Sequence, residues 1–245
     1  MTPEALLLAL LFLLAAALYA SVGHAGASAY LAIMGLVGLA PEVMRPTALV
    51  LNLLVAGIVI VRFARAGHLP WRELLPLVAA SVPMAFIGGL IQLPRATYGV
   101  LVAIVLVVAA WRLATGALTS DPPRTRVPVM AGLAIGAGIG LVSGLTGTGG
   151  GIFLTPVLVL AGWARTRDAA GLSGAFILAN SVAGLAGVLT GGLRLPAELP
   201  LWVVAVGAGG FVGSWLGAAR FSILRLRRAL ALVLLVAAAK LAFFG

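Results

Sequence analysis

Apolar positions along this chain do not alternate with polar ones at the strand period. They run together in long blocks, and glycine, proline and arginine mark the gaps between them. A block of about 20 apolar residues has the length a helix needs to cross roughly 30 Å of hydrocarbon. The blocks predict helices at about 4–22, 27–40, 44–64, 71–92 and 96–114, then at 129–145, 150–163, 169–190, 198–219 and 228–244. The second member of each set is short and follows a glycine-rich stretch. A membrane β-barrel would show alternating segments of about 10 residues, and that pattern is absent. The first block lacks the positive start of a secretory leader and carries Glu4, so it reads as a membrane segment.

The two sets of five are related. VLVVAAWRL (105–113) matches VLLVAAAKL (233–241) at an offset of 128, which the chain's two asparagines, Asn52 and Asn180, share. Ser81/Gly209, Ala85/Gly213 and Gly89/Gly217 share it too, as small residues four apart that let helices approach closely. GHAGASAYL (23–31) corresponds to GTGGGIFLT (147–155) at an offset nearer 124. The expected fold is an all-α polytopic membrane protein of two repeats, residues 1–115 and 129–245, joined by a polar linker, 116–128. Each repeat has a glycine-broken first helix (helix, break, short helix) followed by three membrane helices.

Charge sets the expected orientation. Of the 245 residues 62% are hydrophobic and 9% charged, against about 25% charged in soluble domains. The net charge of +10 falls in short clusters between apolar blocks, without the aromatic-interleaved basic surface of a nucleic-acid binder. The gaps near 62–72, 112–126, 165–167 and 220–228 hold Arg62, Arg65, Arg72, Arg112, Arg124, Arg126, Arg165, Arg167, Arg220, Arg225, Arg227 and Arg228. The other side keeps Arg45, Arg95, Arg194 and Lys240. By the positive-inside rule the first set faces the cytoplasm. The repeats are then inverted relative to each other, with both termini on the extracytoplasmic side. There is no cysteine, the two histidines lack a metal-site spacing, and no GxxxxGK[ST] phosphate loop occurs. No cofactor is expected.

The breaks carry the candidate chemistry. Non-helical backbone in hydrocarbon leaves polar groups unpaired at several kcal/mol each, unless it is buried in protein or lines a wet cavity. Broken helices from two inverted repeats characteristically meet at a substrate site. The free N–H groups at a helix start form an anion seat. SGLTGTGGG (143–151) and SVGHAGAS (21–28) therefore predict a small-anion site built from Gly23, His24, Gly26 and Ser28 with Gly147, Thr148, Gly149, Gly150 and Gly151. Ser21 and Thr146 would add hydroxyl donors. Asn52, Asn180 and Ser181 lie inside apolar helices, where ligand coordination or interhelical hydrogen bonding would satisfy them.

His24 is the titratable side chain within a break and a candidate for a coupling proton. Arg45 reads as snorkelling towards headgroups, Arg165, Arg167 and Asp168 as topology determinants, and His68 as a loop residue without chemistry. An anion channel would use the same helix ends. An intramembrane hydrolase would need a dyad such as Ser143 with His24, and no GxSxG elbow is present. The glycines at 209, 213 and 217 serve either internal packing or a homodimer contact.

GLVSGLTGTGGGIFLTPVLVLAGW (140–163) and AAGLSGAFILANSVAGLAG (169–187) resemble the TauE/SafE sulfite exporter (toluene-sulfonate uptake permease) family over nearly the whole chain. The resemblance is strongest at GTGGGIFLTP and at Asn180–Ser181. The first half departs from it, with His24 and Ala25 where glycines are expected. The resemblance implies a secondary transporter of sulfite, sulfonates or related organosulfur anions in the bacterial inner membrane, not an enzyme.

Overall fold

The computed structural model describes residues 3–115, 125–192, 194–218 and 224–244. The linker up to residue 124, with Arg124, and Arg220 lie outside the described residues, as do the side chains of Gly217, Arg225, Arg227 and Arg228. Among the described residues there are ten helices and no strand: α1 (Pro3–Ala20), α2 (Ala27–Leu36), α3 (Pro41–Arg65), α4 (Trp71–Leu90), α5 (Arg95–Thr115), α6 (Val129–Thr146), α7 (Gly151–Leu160), α8 (Thr166–Leu189), α9 (Leu199–Ala218) and α10 (Leu224–Phe244). Within α3, α4, α5, α6, α8 and α9 lie six stretches long and apolar enough to cross a membrane. Large apolar side chains cover their outward faces, among them Phe86 and Ile87 on α4, Ile104 and Trp111 on α5, and Phe211 and Trp215 on α9. A helix that is apolar all round belongs in a large core or in lipid.

The two short helices end earlier than the apolar pattern predicts, at Leu36 rather than 40 and at Leu160 rather than 163. Glycine is the reason. Gly38 and Gly162 adopt left-handed backbone with φ of 80° and 70°. The next amide folds back over each, from Leu39 onto Met34 O and from Trp163 onto Leu158 O. This is the Schellman stop, which pairs carbonyls that would otherwise be orphaned.

Small residues decide which helices pair. α6 carries glycine every fourth residue, and a Cβ at Gly136, Gly140 or Gly144 would collide with the backbone of α4 at Leu77, Ser81 and Ala85 in turn. Gly209 and Gly213 of α9 press in the same way on α1 at Leu13 and Ala17. Those two glycines are thus engaged inside the chain rather than offered to a second copy. α4 also packs along α8, α3 crosses α8 and α9, and α5 lies against α10. One apolar core joins α1, α2, α3, α5, α9 and α10 around Phe12, whose ring stands edge-on to Tyr30 and Trp202 at centroid distances of 5.5 and 5.0 Å. A second, around Leu77, Leu154, Leu158 and Phe176, sits beneath α4, α7 and α8.

Candidate functional site: two buried helix breaks

Each break is a local consequence of glycine. Gly26 and Gly150, the residues before α2 and α7, have φ of 103° and 79°, values that L side chains seldom adopt. Gly147 (φ 85°) ends α6, with its N–H on Ser143 O at 2.8 Å. The hydrogen-bond ladder of α7 restarts with the amides of Phe153 and Leu154 on Gly150 O, and that of α2 with Tyr30 on Gly26 O. The amides ahead of them, at Gly151 and Ile152 and at Ala27 and Ser28, are the leading N–H groups of short helices. Residues 23–30 and 146–152 are all buried. The irregular backbone is therefore enclosed by protein, as the desolvation argument requires.

The breaks touch. His24 reaches from the first to the start of α7, with Nε2 3.2 Å from Gly151 O and 3.0 Å from Thr155 Oγ1, while Nδ1 lies 3.1 Å from Val22 O. Thr155 in turn pairs with Ser173 of α8 at 2.7 Å. Gly23 packs directly against Ala170 of α8, and a Cβ at Gly147 would stand 2.9 Å from Arg45 O of α3. Each tip thus leans on the long helix of the other half.

Where α3 crosses α8, Asn52 Nδ2 is 3.5 Å from Ser181 Oγ, and a Cβ at Gly149 would come within 2.9 Å of the same nitrogen. Asn52, Asn180 and Ser181 are all 0% exposed. Asn52 Oδ1 and both polar atoms of Asn180 have no hydrogen-bond partner, and neither do the hydroxyls of Ser81 and Ser143. Buried polar atoms are nearly always paired, and an orphaned one costs about 1–3 kcal/mol. Asn180 thus keeps both a donor and an acceptor unpaired in the protein interior.

The other hydroxyls have local partners. Ser21 donates to Leu18 O, Ser28 pairs with Tyr19 OH at 2.6 Å, and Thr146 donates to Val142 O and meets Thr148 at 2.9 Å. Ser143 has no partner, so the Ser143–His24 dyad is not formed. Arg45 does not snorkel. It is 7% exposed and donates to the carbonyls of Ile91 and Gly88 at the end of α4, at 2.7 and 2.5 Å. Those carbonyls end a helix and would otherwise be orphaned, which is why they draw the guanidinium inward. His68 lies in the α3–α4 loop, and its Nδ1 meets Asp168 Oδ1 at 3.1 Å, tying that loop to the start of α8. The pattern of the sequence gave no sign of Thr155, Ser173 or Tyr98. The Tyr98 hydroxyl donates to Thr146 O at 3.0 Å.

Six long apolar helices are those of a multi-pass membrane protein, here with a pair of enclosed helix breaks. The chain belongs to the sulfite exporter TauE/SafE family, whose pattern it matches over residues 8–241. A protein of Sinorhizobium fredii described as probable membrane transporter protein y4hK is 39% identical over 246 residues, covering 98% of this chain and 99% of that one. No solved structure matches the chain.

Proposed function

We propose that the protein is a secondary transporter that carries a small sulfur-containing anion, sulfite or a sulfonate, across the bacterial inner membrane by alternating access. The contact between the two breaks, with the buried Asn52 side chain against Gly149 and the Asn180 amide unpartnered, carries this reading. An oxyanion leaving water must replace its hydrogen bonds. The amides opening α7, Asn180 and Asn52 offer donors where desolvation makes each one count. Arg45, whose backbone packs on Gly147, adds a buried positive charge held at the end of α4. The substrate class follows the family's description as sulfite exporters.

Inverted repeats are supported by the cross-pairing of helices. α1 packs on α9 as α6 packs on α4, and α3 crosses α8, so each half completes its packing with the other. Rocking of one half against the other about the breaks would expose the site alternately to each face. The arginine bias supports both termini outside. The coupling ion in this reading is a proton.

The test is flux into liposomes containing the purified protein, with sulfite, methanesulfonate, taurine and sulfate as probes. The expected result is saturable uptake of at least one sulfur anion with counterflow. Single-channel conductance in planar bilayers would replace the carrier by a pore. Absence of flux for the whole panel would overturn the substrate class.

A further inference from the structure

We propose that His24 is the residue that binds the coupling proton, and that the Thr155–Ser173 hydroxyl pair allows the ring to hold or release it without orphaning a polar atom. The proposal rests on the transport reading above and adds to it the group that titrates.

The argument is one of donors and acceptors. Each ring nitrogen faces a carbonyl oxygen, Nδ1 at Val22 and Nε2 at Gly151, and a carbonyl only accepts. Neutral imidazole has one N–H, so it cannot satisfy both. With the proton on Nδ1 facing Val22 O, Nε2 presents a lone pair, to which the Thr155 hydroxyl, 3.0 Å away, can donate. Thr155 Oγ1 then accepts from Ser173 Oγ at 2.7 Å. When Nε2 takes up a proton, it becomes a donor to Gly151 O and Thr155 Oγ1 together. The Thr155 hydroxyl turns its hydrogen towards Gly151 O, at 3.3 Å, or towards Ser173. The step adds one proton to one lone pair, breaks no covalent bond and needs only two hydroxyl rotations. A ring held by backbone alone would have a single satisfied state, whereas this one has two.

Position makes the proton consequential. The ring stands on one break and its partners on α7 and α8, so it bridges the halves at the residue that opens α7. An anion at the neighbouring amides of Gly149–Gly151 favours the charged ring. By reciprocity, the charged ring favours the anion. In a low-dielectric interior that mutual preference is strong, and the pair crosses with less net charge than the anion alone. The ionisable side chains on the elements packed around the ring are Glu4 and Tyr19 on α1, Tyr30 on α2, and Arg167 and Asp168 on α8; α7 has none. Tyr19 is engaged with Ser28, Tyr30 with Ala25 O, and Asp168 with His68. Ser173 lies two turns into α8.

The experiment follows the His24 ring by nitrogen NMR in the reconstituted full chain, in a His68→Gln background that leaves one histidine to observe. The ring should titrate reversibly. Thr155→Val should move its midpoint, because the neutral ring loses its donor while the charged ring keeps Gly151 O. A ring that stays neutral throughout, or a midpoint indifferent to Thr155→Val, would overturn the assignment. Methanesulfonate, whose charge does not titrate near neutrality, supplies the transport arm with a pH dye inside the vesicles. Uptake with proton entry supports the proposal, and uptake without it sinks the coupling role. If no sulfur anion moves in any vesicle while the ring titrates as expected, the transport reading fails and the protonation site stands.

Discussion

Asn180 separates two accounts of a buried polar side chain. If it were glue between helices, it would hold a partner in this structure; both its polar atoms lack one. Replacing an orphaned amide by an apolar residue of similar size removes a desolvation cost of about 1–3 kcal/mol. Asn180→Leu should therefore unfold in detergent at the same temperature as wild type or higher, while anion uptake falls. A lower unfolding temperature would return Asn180 to a structural role. Residues of this kind were partly legible in the sequence, since an asparagine inside an apolar helix is conspicuous by type alone. Thr155 and Ser173 were not, because hydroxyls are common in membrane helices and their partners lie 131 and 18 residues away in the chain. Arg45 was misread for a related reason. Its position near a helix start suggested the lipid surface, and the two carbonyls that draw it inward belong to α4, 43 and 46 residues on.

At the scale of the element, glycine acts in two distinct ways. Along α6 it permits backbone contact. A Cβ at Gly140 would strike Ser81, while one at Gly138, on the exposed face, meets nothing. Gly140→Ala should lower the thermal unfolding midpoint. Gly138→Ala should leave it unchanged or raise it, since alanine is favoured over glycine by about 1 kcal/mol within a helix. Equal effects of the two substitutions would contradict the packing account. At the breaks glycine supplies left-handed backbone instead, and this use is what makes α2 and α7 short. Helix positions were legible because apolar blocks and glycine runs are local signals. The stops at Gly38 and Gly162 were missed because a single glycine inside a membrane segment does not announce its φ.

For the whole molecule, orientation is the claim most exposed to test. The chain has no cysteine, so single cysteines report sidedness without background. Placed at the exposed Arg65 and Arg126, they should react with an impermeant maleimide only after the cell membrane is opened. Placed at the exposed Gln92 and Glu198, they should react in intact cells. Labelling of all four from one side would rule out the inverted arrangement. The expectation of that arrangement rests on an offset between distant segments and a bias of arginines, whereas the contact between the tips needed coordinates, because nothing local ties His24 to Gly151. The most direct measurement of the central claim is sulfite uptake by liposomes carrying the Asn180→Leu, Ser181→Ala double variant, folded and inserted as wild type is. Uptake reduced to the level of empty vesicles is the result the two-break site predicts. Uptake equal to wild type would mean that the anion crosses elsewhere.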